Sequence, residues 1–293
     1  MIRYLKKTNG YKYPGNITSY RKRKRINSVF CSLFALIIGL LFSFPFIMMI
    51  SGSFSASTVM SDDVFFWWPK HWIIDNYTTI LNRSYFITWI ANSFLYAVVP
   101  VLSTVIISLI LGYFFEKRRF WGRNFLFWCF LSMIMVPTQV LAVPRFMLFS
   151  KMNLIDTYKV ILLPAIWDIT SVFFMRQYMK GIPNSIEEAA IIDGCGVFRV
   201  IFSIYAPMCV PAIASVAILK FVSQWNEFFY PLVFLTSENK YPITVGLSSI
   251  MAESSSFGLT MAGAVVNFLP TFIVFLCLQK YFIEGITAGG IKG

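Results

Sequence analysis

One histidine occurs in 293 residues, which excludes a histidine-built metal centre and most histidine acid–base constellations. The five cysteines, Cys31, Cys129, Cys195, Cys209 and Cys277, include no CxxC pair and no metal-ligand spacing. Four of them fall in long apolar runs and read as small buried residues. No GxxxxGK[ST] phosphate loop is present, so an ATP site of that type has no residues here to build it. A GxSxG nucleophile elbow is also missing. Charge is scarce, at 13% of residues, and acids are scarcer still: 13 Asp and Glu stand against 25 Lys and Arg. So little charge excludes an ordinary soluble domain.

Apolar residues make up 57% of the chain, 31 of them Phe, and the mean hydropathy is +0.68. They gather into runs of membrane-spanning length. The runs predict six transmembrane helices, at 27–50, 85–115, 124–148, 160–178, 208–235 and 260–282, and so an all-α integral membrane protein. A basic segment precedes the first run, as in a signal peptide. The run is too long for a typical signal core and the basic arm is unusually long, so a retained helix is expected. Pro45 should kink it, and Pro137 and Pro144 should break the third span.

The distribution of charge gives the direction of threading. Nine basic residues precede Asn27, and Arg21–Arg25 is an unbroken basic run. Of the 25 Lys and Arg, eighteen fall on segments that the layout places inside and six on segments placed outside. This bias predicts cytoplasmic N- and C-termini and contact of the basic arm with anionic lipid headgroups. With the basic residues so placed, the lipid bilayer is the expected partner and nucleic acid is not. The layout divides into a basic cytoplasmic arm (1–26), a first helix with an outer aromatic loop (27–84), a core (85–285) and a Gly-rich cytoplasmic tail (286–293). In the outer loop, Trp67, Trp68, Trp72 and Tyr77 suit the membrane–water boundary.

Between the fourth and fifth runs lies the most polar interior stretch, 179–207. Asn184 and Glu187 have capping-box spacing, with Pro183 just outside. Ile186, Ala189 and Ala190 should share one helical face, and Glu187 and Glu188 load the first turn with negative charge. Gly194 and Gly196 should end that helix. A second helix should run from Val197 to Tyr205 until Pro207 stops it. Two short helices about a glycine hinge form a knob that another protein could grip.

The pattern Glu188-Ala189-Ala190, then Gly194, Ile204 and Pro207, resembles the EAA loop of permease subunits of bacterial ABC importers, although Ala206 stands where that family usually has leucine. Further stretches extend the resemblance. Gln224-Trp225-Asn226-Glu227, Pro231-Leu232 and Thr244-Val245-Gly246 look like carbohydrate permeases, and the tail Glu284–Gly293 looks like the maltose-type subgroup. The resemblance implies a type I importer transmembrane domain and a coupling loop docked on an ATPase through Glu187, Glu188, Ala189, Ala190, Asp193 and Gly194. It also implies a second homologous permease, two ABC ATPase subunits and an extracytoplasmic solute-binding protein. No cofactor is expected in this chain; ATP and Mg would sit on the partner ATPases. This is then a non-catalytic subunit of a sugar importer in the bacterial cytoplasmic membrane.

Polar groups inside spans are costly and usually functional. Asp168 lies mid-way along the fourth run. Lys220, Gln224 and Glu227, at i, i+4 and i+7, form one stripe on the fifth. They read either as a translocation path or, for Asp168 and Lys220, as an ion pair joining two helices. Trp89, Tyr96, Trp167 and Trp225 could stack on sugar rings or simply pack. Two rival functions need different features. An ion-coupled secondary sugar transporter would need an inverted repeat. A membrane-embedded glycan-processing enzyme would need acids such as Asp62 and Asp63. Outer-loop acids and bases balance, six to six, and favour neither a neutral sugar nor an acidic polymer.

Overall fold

The computed structural model describes residues 17–56, 69, 71–254 and 256–290, with side chains described for positions 30–280 of these. Asp62, Asp63, Trp67, Trp68, the first part of the basic arm and the side chains of the tail lie outside the described residues. The chain divides into two units, residues 1–50 and 51–293.

The first unit is a single helix in its described part. Helix α1 (Ile17–Ser53) begins there and continues through Pro45 without interruption. Many of its apolar side chains are exposed, with Phe30, Leu41 and Phe42 each about 70% exposed. A helix apolar all round suits lipid.

In the second unit the described residues form helices, short 3-10 turns and one π segment, with a lone antiparallel bridge between Ser55 and Trp72. Its helices are α2 (Asp75–Leu81), α3 (Phe86–Lys117), α4 (Arg123–Ser132), α5 (Ala142–Lys151), α6 (Tyr158–Ala165), α7 (Ile169–Met179) and α8 (Asn184–Ile192). There follow α9 (Val197–Arg199), α10 (Ala206–Met208), α11 (Val210–Trp225), α12 (Phe229–Phe234), α13 (Ile243–Glu253) and α14 (Phe257–Gly290).

Helix α3 is the unit's axis. Ser93, Ala97, Pro100, Thr104, Ser108 and Gly112 recur every three or four residues and are buried. Small side chains on one stripe let neighbouring backbones come close, which is how helices pack where lipid removes the hydrophobic drive. Helices α7 and α11 pack on α3, and α14 packs on α11. Met175 of α7 lies against Gly112. Further along α3, Trp89 and Ala97 share a core with Phe221, Trp225, Ile243, Leu247, Ile250 and Ala262.

Among the described residues four helices are long and apolar enough to cross a membrane, and six when each sharply bent pair is taken as one span. The bent pairs carry the main differences from the sequence layout. The third span turns by 89° between Arg123–Met135 and Thr138–Lys151. Pro137 sits at that bend, whereas Pro144 lies in the first turn of α5 and breaks nothing, because the N–H it lacks has no helical partner there. The fourth span is interrupted between α6 and α7. The fifth bends by 83° before α11 and breaks again after Trp225. The 236–259 segment, which the layout leaves as a connection between the fifth and sixth spans, contains the apolar helix α13, whose Ile243, Leu247 and Ile250 repeat at helical spacing and are buried. Of the four cysteines expected to be buried, only Cys209 is; Cys31, Cys129 and Cys277 are exposed on apolar helix surfaces.

Candidate functional site: a polar cavity and an exposed helical knob

The breaks in the fourth and fifth spans face one cavity of about 500 Å³. Helix α6 ends at Ala165, just past Pro164, and α7 restarts after Asp168, whose extended backbone (φ −152°, ψ 151°) makes it the N-cap. The Asp168 carboxylate accepts the Ser171 N–H at 2.9 Å and the Ser171 hydroxyl at 2.6 Å. Across the break, the Thr104 hydroxyl of α3 donates to the carbonyl of Ile166 at 3.3 Å. On the opposite wall α11 ends at Trp225, and Glu227 accepts the Tyr230 N–H at 3.1 Å to start α12. Irregular backbone at membrane depth is tolerated where side chains satisfy it and it lines a cavity, and both conditions are met here.

All four intramembrane candidates line this cavity: Asp168, Lys220, Gln224 and Glu227. Glu227 lies two residues beyond the end of α11, so the stripe runs off the helix rather than staying on it. Lys220 is buried, and its Nζ is 3.9 Å from Asp168 Oδ2. The two charges pair, but without the short contact of a hydrogen-bonded bridge. A second cavity of about 380 Å³ shares Asp168, Thr170, Lys220 and Ser223 with the first. Residues not singled out in the sequence complete the wall. Arg145 lies over the Tyr230 ring at 5.1 Å, and the Tyr230 hydroxyl donates to the Thr138 carbonyl at 2.5 Å. An arginine inside a predicted apolar run was the available signal for that corner.

Of the four aromatics considered, only Trp167 lines the cavity. Trp89 and Tyr96 are buried and donate to the carbonyls of Glu238 (2.8 Å) and Lys240 (3.0 Å). Trp225 is buried, stacks on Phe221 and donates to the Asn267 carbonyl at 3.0 Å. These three hold helices together.

The second feature is the knob at 179–208. Helix α8 starts at Asn184, with Pro183 at the N-cap and no side-chain cap bond. The expected capping box is therefore not formed. Asn184 Oδ1 instead accepts Lys117 Nζ at 2.9 Å, and Glu187 turns inward. The buried face of α8 carries Glu187 and Ala190, with Ile186 partly buried, while Ala189 points outward with Glu188. Gly194 closes the helix at φ +80°, and the Cys195 N–H returns to the Ala190 carbonyl at 2.9 Å. Gly196, at φ −71°, has ordinary backbone and leads into α9.

The second helix of the knob runs past Pro207 to Met208 and bends at Cys209, rather than stopping at the proline. Pro207 has no N–H, and its ring crowds the carbonyl four residues back. The preceding stretch Val200–Tyr205 relaxes into a π turn that absorbs the mismatch. Its residues Val200, Ile201 and Tyr205 are fully buried against Leu109, Tyr113, Met175 and Met179. Glu188, Ala189, Ile192, Asp193, Gly194 and Phe198 remain exposed, Ile192 at 85% and Phe198 at 68%.

Broken apolar helices around a polar, charge-bearing cavity define a multi-pass membrane protein of the transport class. The chain belongs to the family of binding-protein-dependent transport system inner membrane components, whose match covers residues 105–287. It is 35% identical over 269 residues to the arabinooligosaccharides transport system permease protein AraQ of Bacillus subtilis, covering 89% of this chain and 95% of that one. The maltodextrin transport system permease protein MdxG of the same organism is 27% identical, with 92% and 98% covered. Among solved structures, a bacterial ABC transporter involved in import of the acidic polysaccharide alginate aligns with a TM-score of 0.71. There the identity is 27%, with 92% of this chain and 99% of that chain covered. The fold is that of an ABC importer permease.

Proposed function

We propose that this chain is one of two transmembrane subunits of a binding-protein-dependent ABC importer for an oligosaccharide or polysaccharide in the bacterial cytoplasmic membrane. A second homologous permease would complete the translocation path. Two ATPase subunits would carry ATP and Mg, and an extracytoplasmic binding protein would deliver the sugar to the outer loops. The observation that carries this reading is the knob. Glu188, Ala189, Asp193 and Gly194 stand exposed beside the apolar Ile192 and Phe198, on a firmly packed base. Such a surface suits a protein groove: an apolar centre with acids at its rim.

The names of relatives that transport arabinooligosaccharides and maltodextrin support a carbohydrate as cargo. The charge bias supports cytoplasmic termini and a knob on the side where ATP is found. The broken spans fit alternating access, in which helices rearrange around a polar cavity. ATP-driven closure of the ATPases would act on the knob and switch access to the cavity.

The test is a detergent pull-down on the tagged chain, with wild type beside Glu188→Ala and Gly194→Asp. Mass spectrometry reads whether a P-loop ATPase and a second permease come along. Both should accompany wild type, and the variants should shed the ATPase. A wild-type chain that emerges alone and still moves sugar would make an ion-coupled secondary transporter the better reading.

A further inference from the structure

Glu187 is the one acidic side chain among the described residues that is buried, so it lies beneath the exposed surface proposed to dock rather than on it, where the resemblance to the EAA loop places it. Its Oε1 accepts the Tyr113 hydroxyl at 2.6 Å and lies 3.4 Å from Arg118 Nη2, while Oε2 is 3.5 Å from the Tyr205 hydroxyl. Arg118 Nε in turn donates to the Tyr113 hydroxyl at 3.0 Å. Tyr113 and Tyr205 are fully buried, with their rings 5.3 Å apart, edge to face. Next to this cluster, Lys117 Nζ donates to the Ile182 carbonyl at 2.6 Å and to Asn184 Oδ1 at 2.9 Å. The end of α3 therefore grips the first turn of α8 through two consecutive cations and one buried tyrosine.

A buried carboxylate held only by packing would be costly; one with a cation and two hydroxyls is strongly fixed. The bonds tie α8 and the π turn that soon follows it to α3, where Tyr113 lies 74 residues before Glu187. The cavity residue Asp168 starts α7, which packs along α3. A push on α8 thus has a stiff path into the helices around the cavity, and this path does not run through the α8–α9 backbone turn at Gly194.

Resting on the importer reading above, we propose that Glu187 is a positioning residue that locks the coupling helix to α3 through Tyr113 and Arg118, so that movement of the docked knob reaches the cavity through α3. Glu188 then faces the ATPase and Glu187 faces the membrane domain. The two neighbouring acids have opposite tasks, and coupling should depend on Glu187 even where docking does not.

The experiment uses the complete complex, co-purified through the tagged chain, with the native cysteines replaced and Ser223→Cys placed in the cavity wall. A membrane-impermeant maleimide reports access to that position, with and without ATP and vanadate. In wild type the two nucleotide states should label at different rates. In Glu187→Gln and Tyr113→Phe the ATPase should still co-purify, while the ratio of labelling rates falls towards one by about fivefold or more, the usual lower end of a coupling between sites. Because both variants weaken the same Glu187–Tyr113–Arg118 cluster, the first by removing its charge and the second by removing a hydroxyl, the double variant should lose little beyond either one. An unchanged ratio in the single variants would overturn the proposal. So would shedding of the ATPase by both, since Glu187 would then serve assembly alone. If wild type retains no ATPase, the importer reading itself fails, a result the labelling step does not enter.

Discussion

Gly194 and Gly246 are required for two different physical reasons. At φ +80° the Gly194 backbone is in the left-handed region, yet an added Cβ would meet nothing within 4 Å. The cost of a side chain there is conformational only, about 1 kcal/mol for alanine and less for asparagine, which tolerates this region. Gly194→Ala should therefore weaken ATPase retention in a pull-down more than Gly194→Asn, although asparagine is the larger residue. The reverse order would show that space, not backbone, sets the requirement. Gly246 has ordinary backbone, but its Cβ would run into the indole of Trp89. Trp89 is itself pinned by its bond to the Glu238 carbonyl. Gly246→Ala should cost about 1–3 kcal/mol by overpacking, read as a lower melting temperature of the purified protein. Pairing it with Trp89→Leu should restore part of that loss.

At the scale of elements, the segment after α12 is fastened to α3 and to the loop before α6. Asp156 accepts the Thr236 and Ser237 N–H groups, both at 3.0 Å, and Lys240 Nζ at 2.9 Å. Asn92 donates to the Asn239 and Tyr241 carbonyls. Burial alone would push the Asp156 carboxyl up, but the bonds from Lys240, Ser237 and Thr236 outweigh it and hold the carboxyl well below the usual carboxylate range. A carboxyl depressed by folding stabilises fully above its unfolded value, near pH 4, and loses that contribution as pH falls through the folded value. Asp156→Asn should thus cost about 1–2 kcal/mol at any pH from about 5 to 8. The gap to wild type in melting temperature should close as pH drops below about 4. A gap that widened on acidification would rule out the carboxylate as the fastener.

The elements themselves were legible in sequence where one signal dominated. Long apolar runs located the spans, and Gly194 located the end of α8. Asp168 and Lys220 stood out because charge is rare in hydrocarbon. The misreadings arose where a second force acted on the same residues. Glu187 has capping-box spacing, but a buried cluster from a helix some seventy residues earlier in the chain outbids the local cap. Pro207 signals a helix stop, but the π turn before it lets the helix continue. The interruptions that open the cavity come from caps and carbonyl bonds made across helices, such as Thr104 to Ile166, which no local window contains.

For the whole molecule, the decisive question is whether the Asp168–Lys220 pair serves transport or holds helices together. The geometry argues for transport. Asp168 is already fixed by two bonds to Ser171, one of them capping α7, so it keeps its place without Lys220. At 3.9 Å the pair is loose, and both residues face two cavities that meet at them. A structural ion pair removed on one side typically costs about 3–5 kcal/mol because a buried charge is left alone. Here the charge left behind is an N-cap carboxylate with hydrogen bonds of its own. Lys220→Met should therefore change stability by no more than about 1 kcal/mol, read as a small shift in melting temperature, and leave complex assembly intact. Its effect should fall on transport, altering the relative uptake of neutral and acidic oligosaccharides in reconstituted vesicles. Asp168→Asn keeps a capping oxygen but leaves the buried Lys220 without its counter-charge, so it should cost more than Lys220→Met, about 3–5 kcal/mol. Asp168→Ala also removes the cap and should add about 1 kcal/mol. Should Lys220→Met instead dissolve the complex while Asp168→Asn assembles normally, the lysine would be gluing the helices to a partner subunit, and the path would have to be sought along Arg145 and Trp167.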